Sequence, residues 1–117
     1  MQPKLTAFLT QLQQNPNSIE FAQSIALIDE LYHFSPQAFR VGEQNNAQGQ
    51  NQGSCKLLSF AKLQQLSPEL TLALFGHFYR DEVLGNPSGQ DHQNIRQFMA
   101  HGWQGVSFDA EALQARD

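Results

Sequence analysis

The sequence predicts an α+β chain that is mainly α: a compact single domain of about five helices with a small two- or three-stranded β element. Three observations predict it. Apolar residues recur at i, i+3, i+4 and i+7, as in Leu5, Phe8, Leu9 and Leu12, which places them on one helix face. Helix boundary signals separate such windows. Ser67-Pro68-Glu69 is the clearest: a Ser cap, a Pro at the first helical position and an acid in the first turn. Two short alternating stretches, Phe39-Arg40-Val41 and Gly105-Val106-Ser107-Phe108, read as strands that could pair.

Each element follows from local chemistry. A first helix spans about Pro3 to Gln14 and stops at Asn15-Pro16. A second opens with Asn17, and Glu20 three residues later completes a capping-box pattern. Its apolar face is Phe21, Ile25, Ile28 and Tyr32, widened by Leu27 and Leu31. Ser35-Pro36 ends it, because Pro disfavours the α conformation in the residue before it. Between Gly42 and Gly53 the run EQNNAQGQNQ has no large apolar residue, so a surface loop is expected there. Loops of that length are uncommon in small domains and are often functional.

A third helix follows Ser54, its expected cap, to about Leu66, with Leu57, Leu58, Phe60 and Ala61 facing inward. The fourth runs from Ser67 to about Leu84, burying Leu70, Ala73, Leu74 and Phe78. Asn86-Pro87-Ser88-Gly89 is a turn. A fifth helix, capped by Asp91, reaches about His101 and stops at Gly102, with Ile95, Phe98 and Met99 on its core face. The tail from Asp109 reads as a weak helical turn or as disorder.

Composition narrows the function. The 117 residues are expected to form one domain throughout, and a chain of that size buries roughly two-thirds of its unfolded surface without staples. Charged residues are only 15%, and seventeen Gln and seven Asn supply polarity in their place. A net charge of −4 with scattered basic residues argues against nucleic-acid binding. The longest apolar run, Leu70 to Phe75, is too short to span a membrane. One cysteine excludes an internal disulfide framework. Residues 1–14 lack the charged, apolar and small-residue regions of a Sec signal peptide, and a free cysteine fits a reducing cytosol, so the cytoplasm is expected. No heptad run is long enough for a coiled coil, and composition does not decide the oligomeric state.

Three places could carry chemistry. Cys55, in Gly53-Ser54-Cys55-Lys56, would lie in a first helical turn beside an ammonium. Both favour thiolate, and His77 or His92 could act as its base. The second place is the polar set His77, Arg80 and Asp81 with Asp91, His92, Asn94 and Arg96. His77 and Asp81 share a helix face at i, i+4, as do His92 and Arg96, and the turn between the helices would bring the pairs together. The expectations here are a hydrogen-bonded network with Arg80 and Arg96 paired to Asp81 or Glu82, an anion or peptide site, or acid–base and metal chemistry. No two histidines have the i, i+4 ligand spacing, so no metal and no cofactor is expected. The third is Trp103 between Gly102 and Gly105, expected to close the core with its indole N–H on a carbonyl.

Together the motifs resemble a known family. Gly53-Ser54-Cys55-Lys56, Phe75-Gly76-His77-Phe78-Tyr79-Arg80, Val83-Leu84-Gly85-Asn86-Pro87, Asp91-His92-Gln93-Asn94-Ile95-Arg96-Gln97-Phe98 and Gly102-Trp103-Gln104-Gly105 fall in order. This resembles the HopJ type III effector family of Gram-negative bacteria, over about residues 20–113. The resemblance implies a protein injected into host cells by type III secretion, with a host protein as its partner. It implies no particular reaction, and a binding module is expected rather than an enzyme. The alternative expectation is a non-exported bacterial protein that binds a small anion, another small ligand or a peptide. Arg80, Asp91, His92, Asn94 and Arg96 are the expected ligand-binding residues, with Cys55, His77 and His92 as weaker catalytic candidates.

Overall fold

The computed structural model describes residues 2–116. In chain order the elements are α1 (Pro3–Gln14), a 3-10 turn (Pro16–Ser18), α2 (Phe21–Leu31), β1 (Tyr32–Phe34), β2 (Phe39–Val41), β3 (Gln44–Asn46), α3 (Gln52–Gln64) and α4 (Pro68–Ala73). A π-helical turn (Phe78–Val83), α5 (Gln93–His101), a second 3-10 turn (Gly102–Gly105), β4 (Val106–Phe108) and β5 (Leu113–Ala115) complete the fold. It is mainly α with small sheets, as the sequence predicts.

The helices hold one core. Phe8 and Leu12 of α1, Ile28 of α2, Leu57, Leu58 and Phe60 of α3, and Phe98 of α5 are all buried. Phe60 takes edge-to-face contacts from Phe8 and Tyr32, each with ring centroids 6.0 Å apart. Trp103 does close the core: its indole N–H donates to the Leu66 carbonyl at 2.9 Å, and the ring meets Phe98 edge-on. Met99 does not follow its expected face and is exposed.

Strand β2 lies between β3 and β4 in an antiparallel sheet. The expected pair forms, with Phe39 opposite Phe108 and Val41 opposite Val106. The other strands are not in the sequence prediction. Gln44–Asn46 belongs to the segment expected to be only a surface loop, yet it pairs with β2 and buries Asn46. The tail likewise forms β5 against β1, because Ala112 and Leu113 are buried and pull it onto the core.

Helix boundaries depart from expectation in ways that shape the site, and α2 ends at Leu31, ahead of Ser35-Pro36, as β1 takes over. The second helix starts at Phe21, not at Asn17. Ile19 is fully buried, and anchoring it leaves Glu20 extended as the cap; Glu20 and Gln23 then form the capping box reciprocally. The expected helix from Ser67 to Leu84 is broken at Gly76, whose φ is +61°, a conformation that favours glycine. A Cβ at Gly76 would meet the Phe21 backbone nitrogen at 2.6 Å, so α2 and the fourth helix approach each other there. The chain resumes as the π-turn, with the Leu84 N–H donating to the Tyr79 carbonyl at 3.0 Å.

Candidate functional site

The start of α2, the π-turn and the start of α5 surround a cleft of about 400 Å³. Phe21 and Phe78 form its aromatic wall, their rings edge-to-face at 4.9 Å. Asn51, Gln93 and Asn94 supply carboxamides, and His92 stands at one side.

The floor is held by three asparagines. Asn46 Nδ2 donates to Asn94 Oδ1 at 2.9 Å, and Asn94 Nδ2 donates back to Asn46 Oδ1 at 3.1 Å. Asn51 Nδ2 also donates to Asn46 Oδ1, at 2.7 Å, and Asn46 Nδ2 reaches the Phe39 carbonyl at 3.3 Å. Asn51 is the cap residue of α3 in a left-handed conformation, which asparagine tolerates. Helix α3 therefore starts before Ser54, the expected cap.

Beside the cleft lies a histidine–carboxylate cluster. His92 Nε2 is 2.8 Å from Glu82 Oε1 and 3.9 Å from Asp91 Oδ2. His77 Nε2 is 3.7 Å from Glu82 Oε2, and its Nδ1 is 3.8 Å from Glu20 Oε2. Phe78 packs between the two imidazoles, with centroids 4.2 Å from His77 and 5.3 Å from His92. His77 thus reaches the residue five positions on, Glu82, and not Asp81 four positions on. A π-turn has that wider spacing.

The guanidiniums are engaged on different partners from those expected. Arg80 Nη2 donates to Glu20 Oε1 at 3.0 Å, not to Asp81 or Glu82. Arg96 donates to Asp91 Oδ1 and to the Asp91 carbonyl, both at 2.6 Å, and to the Asn86 carbonyl at 2.9 Å. Asp91 therefore does not cap α5; His92 occupies the cap position with φ +52°. The Arg96 hydrogen bond, aided by its charge and that of His92, holds the Asp91 carboxyl below the usual carboxylate range.

These motifs give the chain its family. The model of a family described as "HopJ type III effector protein" matches residues 5–113. The chain belongs to that HopJ family. It is also similar to a solved structure titled "Crystal structure of unknown function protein VPA0580", at 46% identity and a TM-score of 0.96, covering 99% of this chain and 97% of that one. No curated protein matches. Three of the motifs that carry the HopJ resemblance converge on the cleft: Gly53 and Ser54 from the first, Phe75 and Phe78 from the second, His92 and Asn94 from the fourth.

Cys55 of the HopJ motif is placed otherwise. It is 1% exposed, and desolvation pushes its thiol up from the ordinary value. Its Sγ faces the Gln37 carbonyl, and among the described residues no histidine hydrogen-bonds to it. Lys56, expected to favour the thiolate, is instead paired to Asp29 at 2.7 Å and lies over the Phe34 ring. Sequence reasoning missed Glu20, Asn46, Asn51 and Phe21 as site residues, and it gave Glu82 the arginines as partners in place of His77 and His92. Glu82 alone had a local signal, at i+5 from His77, and only a π-turn makes that spacing meaningful.

Proposed function

We propose that this HopJ-family protein is a type III effector that works as a small binding module, its cleft taking an uncharged peptide segment of a host protein. It would reside in the bacterial cytoplasm before export. Family membership supports the effector half. The observation that carries the binding half is the cleft lining. Among the described residues the Gln90 carboxamide and the side-chain oxygens of Gln44 and Asn51 make no hydrogen bond within the fold, which leaves donors and acceptors for peptide C=O and N–H groups, and Phe21 and Phe78 offer apolar ring surface. Arg80 and Arg96 already bind Glu20 and Asp91, which weakens the inorganic-anion alternative. Burial of Cys55 weakens the thiol-enzyme alternative.

The first experiment compares release of the tagged protein from its native bacterium with and without a working type III apparatus. Apparatus-dependent release is expected. Retention in both strains overturns the effector half and leaves a resident binding protein. The second displays host-derived peptides to the full chain and to Phe78→Ala. Binding weakened by roughly tenfold or more is expected for the variant. Unchanged binding overturns the assignment to this cleft.

A further inference from the structure

We propose that Glu82, Asp91 and His92, beside the cleft, hold a divalent first-row transition-metal ion of the zinc class. The histidine spacing argued for no metal, because Glu82 lies in the π-turn, ten positions before the adjacent Asp91 and His92 at the start of α5. The fold brings one ligand atom from each to within 4.8 Å of the other two. Donors arranged tetrahedrally around zinc at its usual bond lengths sit about 3.4 Å apart. The His92–Glu82 and His92–Asp91 separations, 2.8 and 3.9 Å, bracket that value, so small side-chain rotations suffice. One imidazole and two carboxylates form a borderline nitrogen–oxygen set, which favours zinc and its neighbours over magnesium.

Charge supplies an independent argument. Glu20 is paired to Arg80 and Asp91 to Arg96. Among the described residues, Glu82 pairs with no lysine or arginine; its ion-pair partners are His77 and His92 alone. Water and the two imidazoles are its neighbours in the fold, so this carboxylate is free of any ammonium or guanidinium and open to a metal ion. The surroundings suit the metal. Asp91 Oδ1 is taken by Arg96, leaving Oδ2 toward His92. Glu82 Oε2 faces His77, leaving Oε1 toward His92. Arg96 and His77 are therefore positioning residues that orient the two carboxylate donors from outside. Zinc chelated here would stand beside the cleft without occupying its amide floor, so this inference goes beyond the peptide reading and does not depend on it.

The test is calorimetric titration of the full chain with zinc chloride, and separately with magnesium chloride. Wild-type protein is expected to bind about one zinc per chain, with magnesium at least roughly tenfold weaker. Glu82→Gln and His92→Gln should each weaken zinc by roughly tenfold or more, while His101→Gln leaves it unchanged. Thermal melting of each variant checks its fold. Visible absorption of the cobalt-loaded wild-type protein gives a second readout that needs no variant. Absence of zinc binding by the wild type, or zinc binding that survives both Glu82→Gln and His92→Gln, overturns the proposal. Neither result bears on the peptide-binding experiment.

Discussion

The cleft is bordered by two polar clusters built on opposite terms. The asparagine floor is neutral, with Asn46 and Asn94 buried, and it is closed on itself by hydrogen bonds of 2.7 to 3.3 Å. The histidine–carboxylate cluster is charged and more exposed, and three of its four histidine contacts are 3.7 to 3.9 Å long. A buried polar group left without a partner is costly, so the floor must satisfy itself. An exposed charge has water as an alternative, so the cluster can stay loose. The floor therefore sets the shape of the cleft, and the cluster keeps valences for something else.

The largest effect should come from the floor. Asn46→Ala removes an amide that joins Asn94, Asn51 and the Phe39 carbonyl, and leaves their groups unsatisfied. A loss of about 2–4 kcal/mol is expected in urea unfolding. A double-mutant cycle with Asn94→Ala should show coupling of about 1 kcal/mol or more. Strict additivity would mean that the two amides do not act as one unit.

Arg96→Gln stands between the clusters. It releases the Asn86 and Pro87 carbonyls of the turn, and about 1–2 kcal/mol should be lost. Glu82→Gln touches exposed His77 and half-buried His92 from a carboxylate that is itself exposed, and its stability should stay within about 0.5 kcal/mol of wild type. If Glu82→Gln cost as much as Asn46→Ala, the contrast between the clusters would fail.

The smallest effect is a pH dependence. Asp91 has a folded-state pKa below its unfolded value, so it favours the folded state above that unfolded value. That contribution should fade as pH drops through the carboxylate range, and Asp91→Asn should abolish it. Unfolding midpoints of both proteins between neutral pH and pH about 3 check this. An identical acid slope in the two would remove Asp91 from the account.

Legibility followed the range of the interaction that decides each feature. Amphipathic periods announced α1, α3 and α5, and the cap at Ser67 announced α4, since these depend on neighbours within one or two turns. The pairing of Phe39–Val41 with Val106–Phe108 was readable from alternation and a shared apolar character. Asn46 was not readable, because an asparagine in a polar run looks like loop until Asn94, 48 positions away, satisfies it. The partners of Arg80 were misread for the same reason: Glu20 is 60 positions distant and meets it only because α2 lies against the π-turn.

The sequence by itself determined the mainly helical class, the residues of the core stripes, the family and the roster of polar residues near the cleft. Tertiary structure decided which of them meet. Burial of Ile19 moved the cap to Glu20, and the close approach at Gly76 broke a helix that periodicity would have continued. Burial also took Cys55 out of water, and the π-turn set His77 against Glu82. Local propensity reads the next few residues along the chain. Desolvation and charge pairing depend on what lies beside a group in space, and here that neighbour comes from another element.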